Sequence, residues 1–289
     1  MKLKKIVAIL ACFGILLSLG ACKGNRSSTD PVVTLKPIET APQKNYSPEE
    51  IKDIYNTAVK KIIDAKSYHM FGSYNSAAAF GDVVSSVVNS VDLTYEVREN
   101  GPVGYFDVMM KQEGREIPHT TYHDGQHYYF DAYNWKYYTA TNDYTDYYAQ
   151  DFLKLIGDAE LKELSFMDQL DGSLELSFSV PMGEYKSEGI LGLIGEFTSE
   201  SIDQDLVTVS AIIDAEGTLT YFYISFTSYL EILGEASEQT IIISMSIDGY
   251  DSTAVETPDL ALYENNVTDP DEFGDEHEHV GILSPEDVD

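Results

Sequence analysis

Basic residues, tryptophan and cysteine are all scarce in this sequence. Its 289 residues include 18 Lys and Arg against 49 Asp and Glu, a formal charge of −31, with 1 Trp and 2 Cys. So few cations exclude nucleic acid as a ligand, because a phosphate backbone repels such a surface. Unaided adsorption to anionic lipid is disfavoured for the same reason. The cysteines are too few for a disulfide scaffold or a cysteine-rich zinc site. Catalytic signatures are missing as well: the sequence has no Gly-x-Ser-x-Gly elbow and no His-Glu-x-x-His. Its carboxylates are abundant, but no spacing among them selects a catalytic pair. No enzymatic activity, cofactor or metal is expected. Apolar residues, at 43%, are plentiful enough for a core and exclude a wholly disordered chain.

The N-terminus reads as an address. Lys2, Lys4 and Lys5 precede an uncharged stretch from Ile6 to Leu19, shorter than the roughly 20 residues a membrane-spanning helix needs. Leu19-Gly20-Ala21-Cys22 follows and resembles the bacterial lipobox, whose small residues let the peptidase approach the backbone. That resemblance implies a signal peptide over residues 1–21, cleavage after Ala21, and diacylglycerol on Cys22. Cys12 would be discarded with the leader, leaving no free thiol and no disulfide. The expected location is the extracytoplasmic face of a bacterial, Gram-positive cell membrane. Loss of the leader removes three lysines and no acid, so the mature chain would stand at −34. The lipid must then do the anchoring, since the polypeptide is repelled by an anionic leaflet.

Residues 22–46 read as the lipidated cysteine and a flexible tether, with Pro31, Pro37 and Pro42 among small polar residues. Ser47-Pro48-Glu49-Glu50 is a helix start: Ser47 as N-cap, Pro48 at the first position, Glu50 completing a capping box. Ile51, Ile54, Tyr55, Ala58, Ile62 and Ala65 then follow helical spacing. Strands are expected at Ser67 to Asn75, around Leu93 to Val97, around Phe106 to Met110, and at Thr120 to His123. Residues 76–91 fit either a strand or an inserted loop. Asp124-Gly125 suits a type I′ hairpin turn into a strand from Gln126 to Tyr133, and Trp135 to Thr141 continues. Tyr144, Tyr147, Tyr148, Phe152, Leu155 and Ile156 mark an aromatic helix ending near Gly157. A strand at Leu174 to Val180 and a second internal helix at Gly183 to Ser199 come next. Strands return at Leu206 to Ile213, Thr218 to Thr227 and Thr240 to Ile247. From Glu264 there are ten acids and no Lys or Arg, so residues 264–289 read as a disordered acidic tail. So many local strands favour antiparallel meanders with helices on one side, an α+β domain over residues 47–263.

The ordered series of elements carries a resemblance. A capped helix leads to Ser67-Tyr68-His69-Met70. Then come Tyr122-His123-Asp124-Gly125-Gln126-His127-Tyr128-Tyr129, Trp135-Lys136-Tyr137 and Ile213-Asp214-Ala215-Glu216-Gly217-Thr218-Leu219. This resembles the DUF6612-type lipoproteins of Gram-positive bacteria and, more distantly, the LolA/LppX-like lipoprotein carriers and lipid-binding lipoproteins. The resemblance implies a curved antiparallel β half-barrel with helices packed on its concave side. In the carrier relatives, the space between sheet and helices accepts acyl chains.

Three constellations invite a functional reading. Gly189, Gly192 and Gly195 lie among Ile190, Leu191, Leu193, Ile194 and Phe197. No Lys-Ser/Thr follows, so this is no phosphate loop. It suits a core helix with close backbone packing, or a lid over an apolar cavity, since each glycine lowers helix stability by about 1 kcal/mol relative to alanine. Tyr129, Tyr133, Trp135 and Tyr137 are candidates for a sheet-face contact, weighed against plain cross-strand aromatic pairing worth roughly 0.2–1 kcal/mol per pair. His119, His123 and His127 flank the hairpin, where their spacing of four does not build a metal site. The leading expectation is a non-enzymatic, membrane-anchored lipoprotein holding an acyl chain or lipid between sheet and helices. The alternative is an anchored module with a filled core that binds an envelope protein or cell-wall polymer.

Overall fold

Ser47 starts the first helix as its spacing predicts. Its hydroxyl accepts from the Glu50 amide at 3.2 Å, and its own amide donates to the Glu50 carboxylate at 2.8 Å. The computed structural model describes residues 41–80, 83–112, 114–132, 135–140, 148–185, 205–232 and 235–263. Helix α1 runs Pro48–Asp64 and buries Ile51, Tyr55, Ala58, Val59 and Ile62. Full burial of Ile51, Val59 and Ile62 contributes about 1.5–3 kcal/mol each.

The rest is mainly strand: β1 Ser67–Phe80, β2 Val83–Arg98, β3 Gly101–Gln112, β4 Arg115–His123, β5 His127–Ala132 and β6 Trp135–Ala140. A short helix α2, Ala149–Phe152, precedes β7 Lys162–Asp168 and β8 Leu174–Pro181. A helical turn α3, Met182–Tyr185, leads toward β9 Leu206–Ile213, β10 Leu219–Ile232 and β11 Glu235–Asp248. The described strands form one antiparallel sheet in the order β6-β5-β4-β3-β2-β1-β11-β10-β9-β8-β7. Two meanders therefore run outward in opposite directions, and the β1–β11 pairing is the seam that joins them. The fold is α+β, an open antiparallel half-barrel with its helices on one face.

Residues 76–91 are strand: the ladder holds from Ser67↔Glu96 to Phe80↔Val83. The seam itself needs Gly72. A Cβ there would run into the Ser244 carbonyl oxygen and lie 2.9 Å from the Met245 Cα.

Three expectations are corrected. Among the described residues, the aromatic helix is confined to Ala149–Phe152. Asn56 of α1 takes both polar groups of the Ile156 backbone, donating to its carbonyl and accepting from its amide at 2.8 Å each. The Ile156 amide, a single donor, is then unavailable for the helical bond back to the Phe152 carbonyl. The Asp124-Gly125 turn is not type I′, which requires two positive φ values. Only Gly125 has one, at 96°. Asp124 instead accepts from the amides of Gln126 and His127 at 2.8 and 2.7 Å. Strand β7 is an addition to the expected set. The last residues of the expected tether dock on it: Lys44 N and the Tyr46 hydroxyl bond the Asp168 carboxylate at 2.7 and 2.9 Å.

Candidate functional site

Alternation along the strands sorts the sheet into two faces. The inner face is the one α1 covers, packing onto β9 and β10, with the Tyr55 ring edge-on to Phe178 of β8 at 5.1 Å. The Tyr55 and Tyr185 hydroxyls meet at 2.9 Å in the core. Burial pushes both phenols up, Tyr185 to about 12, so the pair stays neutral and structural.

Register assigns the other inner positions. They are Tyr68 to Ala78 on β1, Ser85 to Val97 on β2 and Gly104 to Gln112 on β3, in steps of two. On the other side of the seam they are Leu174 to Val180 on β8, Val207 to Ile213 on β9, Phe222 to Phe226 on β10 and Gln239 to Ile247 on β11. None of these positions is Asp, Glu, Lys or Arg, in a chain that carries 49 acids. Charged residues take inner register positions farther out, at Arg115 opposite Gln112, Asp168 opposite Leu174 and Glu235 opposite Ile232. The α1 end of this face is closed: Met70, Leu93, Phe178, Phe222 and Ile224 are 0–1% exposed. Farther along β1 to β3 the packing loosens, and Tyr74, Val108 and Met110 are half-buried.

One polar side chain interrupts that looser sector. Asn89 sits on β2 between Val87 and Val91, opposite Tyr74 on β1 and Met110 on β3. It is 1% exposed, and its Nδ2 has no hydrogen-bond partner among the described residues. An unmade buried hydrogen bond costs about 1–3 kcal/mol, and native interiors seldom hold one without a reason. The orphaned oxygens of Asn75, Asp205 and Gln239 belong to half-buried residues. His119, on the same face two strands away, has its pKa lowered by burial, which favours the neutral ring.

An aromatic wall bounds the sector. Tyr148 lies over Gly104, where a Cβ would come within 2.5 Å of its hydroxyl. Its ring is edge-on to Tyr95 at 4.9 Å, and Tyr95 stacks on Tyr68 at 4.7 Å. Tyr68 in turn donates to Gln150 and accepts from the Ala149 amide, both at 2.9 Å.

The outer face is built differently. After β11 the chain crosses β2 to β6 as a strap. The Val255 amide donates to Glu96 at 3.0 Å, and Arg98 donates to Thr257 at 3.2 Å. Val255 packs with Val103 and Tyr122 in a small second core. At the seam, the His69 ring bridges Asp92 and Asp248 at 3.0 and 2.9 Å. An open depression of about 400 Å³ by the β7–β8 turn is lined by Gln169, Leu170, Asp171, Ser173, Glu175 and Ile212. Its two acids are occupied locally, Asp171 by the Ser173 hydroxyl at 2.7 Å and Glu175 by the Gln169 amide at 3.1 Å.

The expected site residues are dispersed. Cys22, Ala21, Tyr133 and the Ile190, Leu191, Leu193, Ile194 and Phe197 group lie outside the described residues, as do Tyr144, Tyr147 and the acidic tail. Tyr129 is on the outer face, packed among Tyr122, Tyr138 and Tyr263, and it donates to Asp124 at 3.0 Å. Trp135 and Tyr137 pair with Ala132 and Phe130, register positions of the opposite parity to Tyr129. His123 is buried and contacts the Tyr148 hydroxyl, whereas His127 takes the outer parity beside Asp124. Among the described residues, no group of three or more His, Cys, Asp or Glu is placed to hold a metal. Asn89 was passed over by sequence reading. Its signal was present: one amide at the centre of an alternating Val-x-Asn-x-Val row.

No protein-family model matches the chain, and no curated protein matches it. Among solved structures it is similar to LprF from Mycobacterium bovis, at 9% identity and a TM-score of 0.42. That match covers 73% of this chain and 97% of the other. It is also similar to the LolA superfamily protein NE2245 from Nitrosomonas europaea, at 9% identity and a TM-score of 0.28, covering 74% and 97%. A DUF1329 family protein from Desulfovibrio piger matches at 7% identity and a TM-score of 0.26, covering 76% and 99%.

Proposed function

We propose that this chain is a non-enzymatic lipoprotein of the extracytoplasmic membrane face, anchored through Cys22 of a Gram-positive cell. It holds an uncharged acyl chain or lipid against the inner face of its sheet. The observation that carries this reading is the run of uncharged inner positions along β1 to β3, from Tyr68 to Ala78, Ser85 to Val97 and Gly104 to Gln112, in a chain of charge −31. Apolar surface of this kind takes hydrocarbon readily and excludes ions, because an unpaired charge is costly in a low-dielectric site. The half-buried Tyr74, Val108 and Met110 supply the contact surface, and the closed α1 end limits its length.

The lipid anchor and the ligand are tested separately. Cys22→Ser should move the protein from the membrane fraction to the soluble one; retention in the membrane would contradict anchoring. Protein beginning at Lys23, purified without detergent and measured by native mass spectrometry, should carry adducts of acyl-lipid mass that organic extraction removes. Protein that is empty and takes up no acyl probe would contradict the ligand.

A further inference from the structure

We infer that Asn89 is the polar anchor of the bound lipid, donating its Nδ2–H to the ester or amide carbonyl oxygen of an uncharged acyl group on the inner face. The inference rests on the acyl-binding reading above and specifies the chemistry of the ligand's polar end. An amide nitrogen only donates, so its missing partner is an acceptor. The surroundings narrow which acceptor. Tyr74 and Met110 flank Asn89 across the ladder, and Val87 and Val91 lie on either side along β2. Inner positions of β1 to β3 carry no cation, and Arg115 on β4 is exposed and opposite Gln112 rather than Met110. A free carboxylate at Asn89 would therefore be buried without an adjacent counter-charge. Burial pushes His119 toward its neutral form, which leaves that ring without a charge to offer an anion. A hydrocarbon with no acceptor would leave Nδ2 unpaired. A carbonyl oxygen carried on an acyl chain meets both requirements, since the chain covers the apolar neighbours while the oxygen satisfies the amide. A site built around a buried donor discriminates strongly against an analogue that lacks the acceptor.

A matched pair of probes tests this: a long-chain monoacylglycerol, and the 1-O-alkylglycerol of equal length, in which an ether replaces the ester carbonyl. Titrated into protein beginning at Lys23, the ester should bind about fivefold to tenfold more tightly than the ether. Asn89→Leu should erase that preference, so that ester and ether bind within about twofold of each other, and should raise the melting temperature of the ligand-free protein. Asn89→Ala, a smaller change, should erase the preference as well. Equal binding of the two probes by the native protein, or a preference that survives either substitution, overturns the role of Asn89 and leaves acyl binding standing. Binding of neither probe overturns both.

Discussion

The Tyr148 hydroxyl lies 2.9 Å from Nδ1 of His123, and both residues are buried. This contact ties the segment after residue 147 to β4, across a gap that Gly104 leaves open on β3. Tyr148→Phe removes one partner of a buried pair and should cost about 1–2 kcal/mol in chemical unfolding. Gly104→Ala places a methyl group where the Tyr148 ring sits and should cost about 1–3 kcal/mol. Because both act on one contact, their effects should combine to less than their sum in a double-mutant cycle.

His69 makes the seam sensitive to pH. A carboxylate only accepts, so the contacts to Asp92 and Asp248 are both hydrogen bonds only when the imidazole carries two protons. Burial works against that charge, but the bonds and charges of Asp248 and Asp92 outweigh it and raise the His69 pKa above its usual 6.5. A raised folded-state pKa gives stability that is fully present below about pH 6.5 and is lost as pH rises through the folded value. Both carboxylates are 64% exposed, so the contribution is that of a surface pair, up to about 1 kcal/mol. The melting temperature of the native protein should exceed that of His69→Gln by roughly 1–4 °C at pH 6, and the two should converge by pH 9.

The opposite sign applies to the strap. The Val255 amide, followed by the Arg98 guanidinium, holds Glu96 below the usual carboxylate range. A lowered pKa gives stability that is present above about pH 4.5 and lost as pH falls through the folded value. Amides near Val255 should therefore exchange hydrogen faster as pH falls below 4.5, after correction for intrinsic rates. Glu96→Gln should show that faster exchange already at pH 7.

Gly72 leaves no room for a side chain at the β1–β11 seam. Gly72→Ala should destabilise the whole domain by about 1–3 kcal/mol or prevent folding. Gly114→Ala is a poor control because Gly114 has a φ of 77°, whereas Gly157→Ala meets no neighbour within 4 Å and should be nearly neutral.

Much of the scaffold was legible because it is written locally. The Ser47–Glu50 box and the apolar stripe of α1 need only short-range spacing, and Leu174 to Val180 and Leu206 to Ile213 alternate cleanly. Strand β7 was missed because its alternation is broken. Its register shifts between Lys162 and Ser165, and Glu163 takes a φ of 52°. The Ser76-Ala77-Ala78-Ala79 stretch has little strand preference of its own, and pairing with β2 and β11 decides it. The helix at Tyr144 to Ile156 was overextended because its limit is set by Asn56, about a hundred residues earlier. The site was harder still. His69 meets Asp92 and Asp248 across three strands, and the isolation of Asn89 exists only once β1 and β3 flank it.

The proposed ligand, an uncharged acyl lipid, lies against the uncharged inner positions of β1 to β3. The most direct measurement is an equilibrium titration of protein beginning at Lys23 with a long-chain monoacylglycerol, alongside the Val108→Glu variant. Saturable one-to-one binding that changes little between low and high salt, and that weakens at least about tenfold in the variant, is the predicted result. No saturable uptake by the native protein, or uptake unaffected by Val108→Glu, would contradict it.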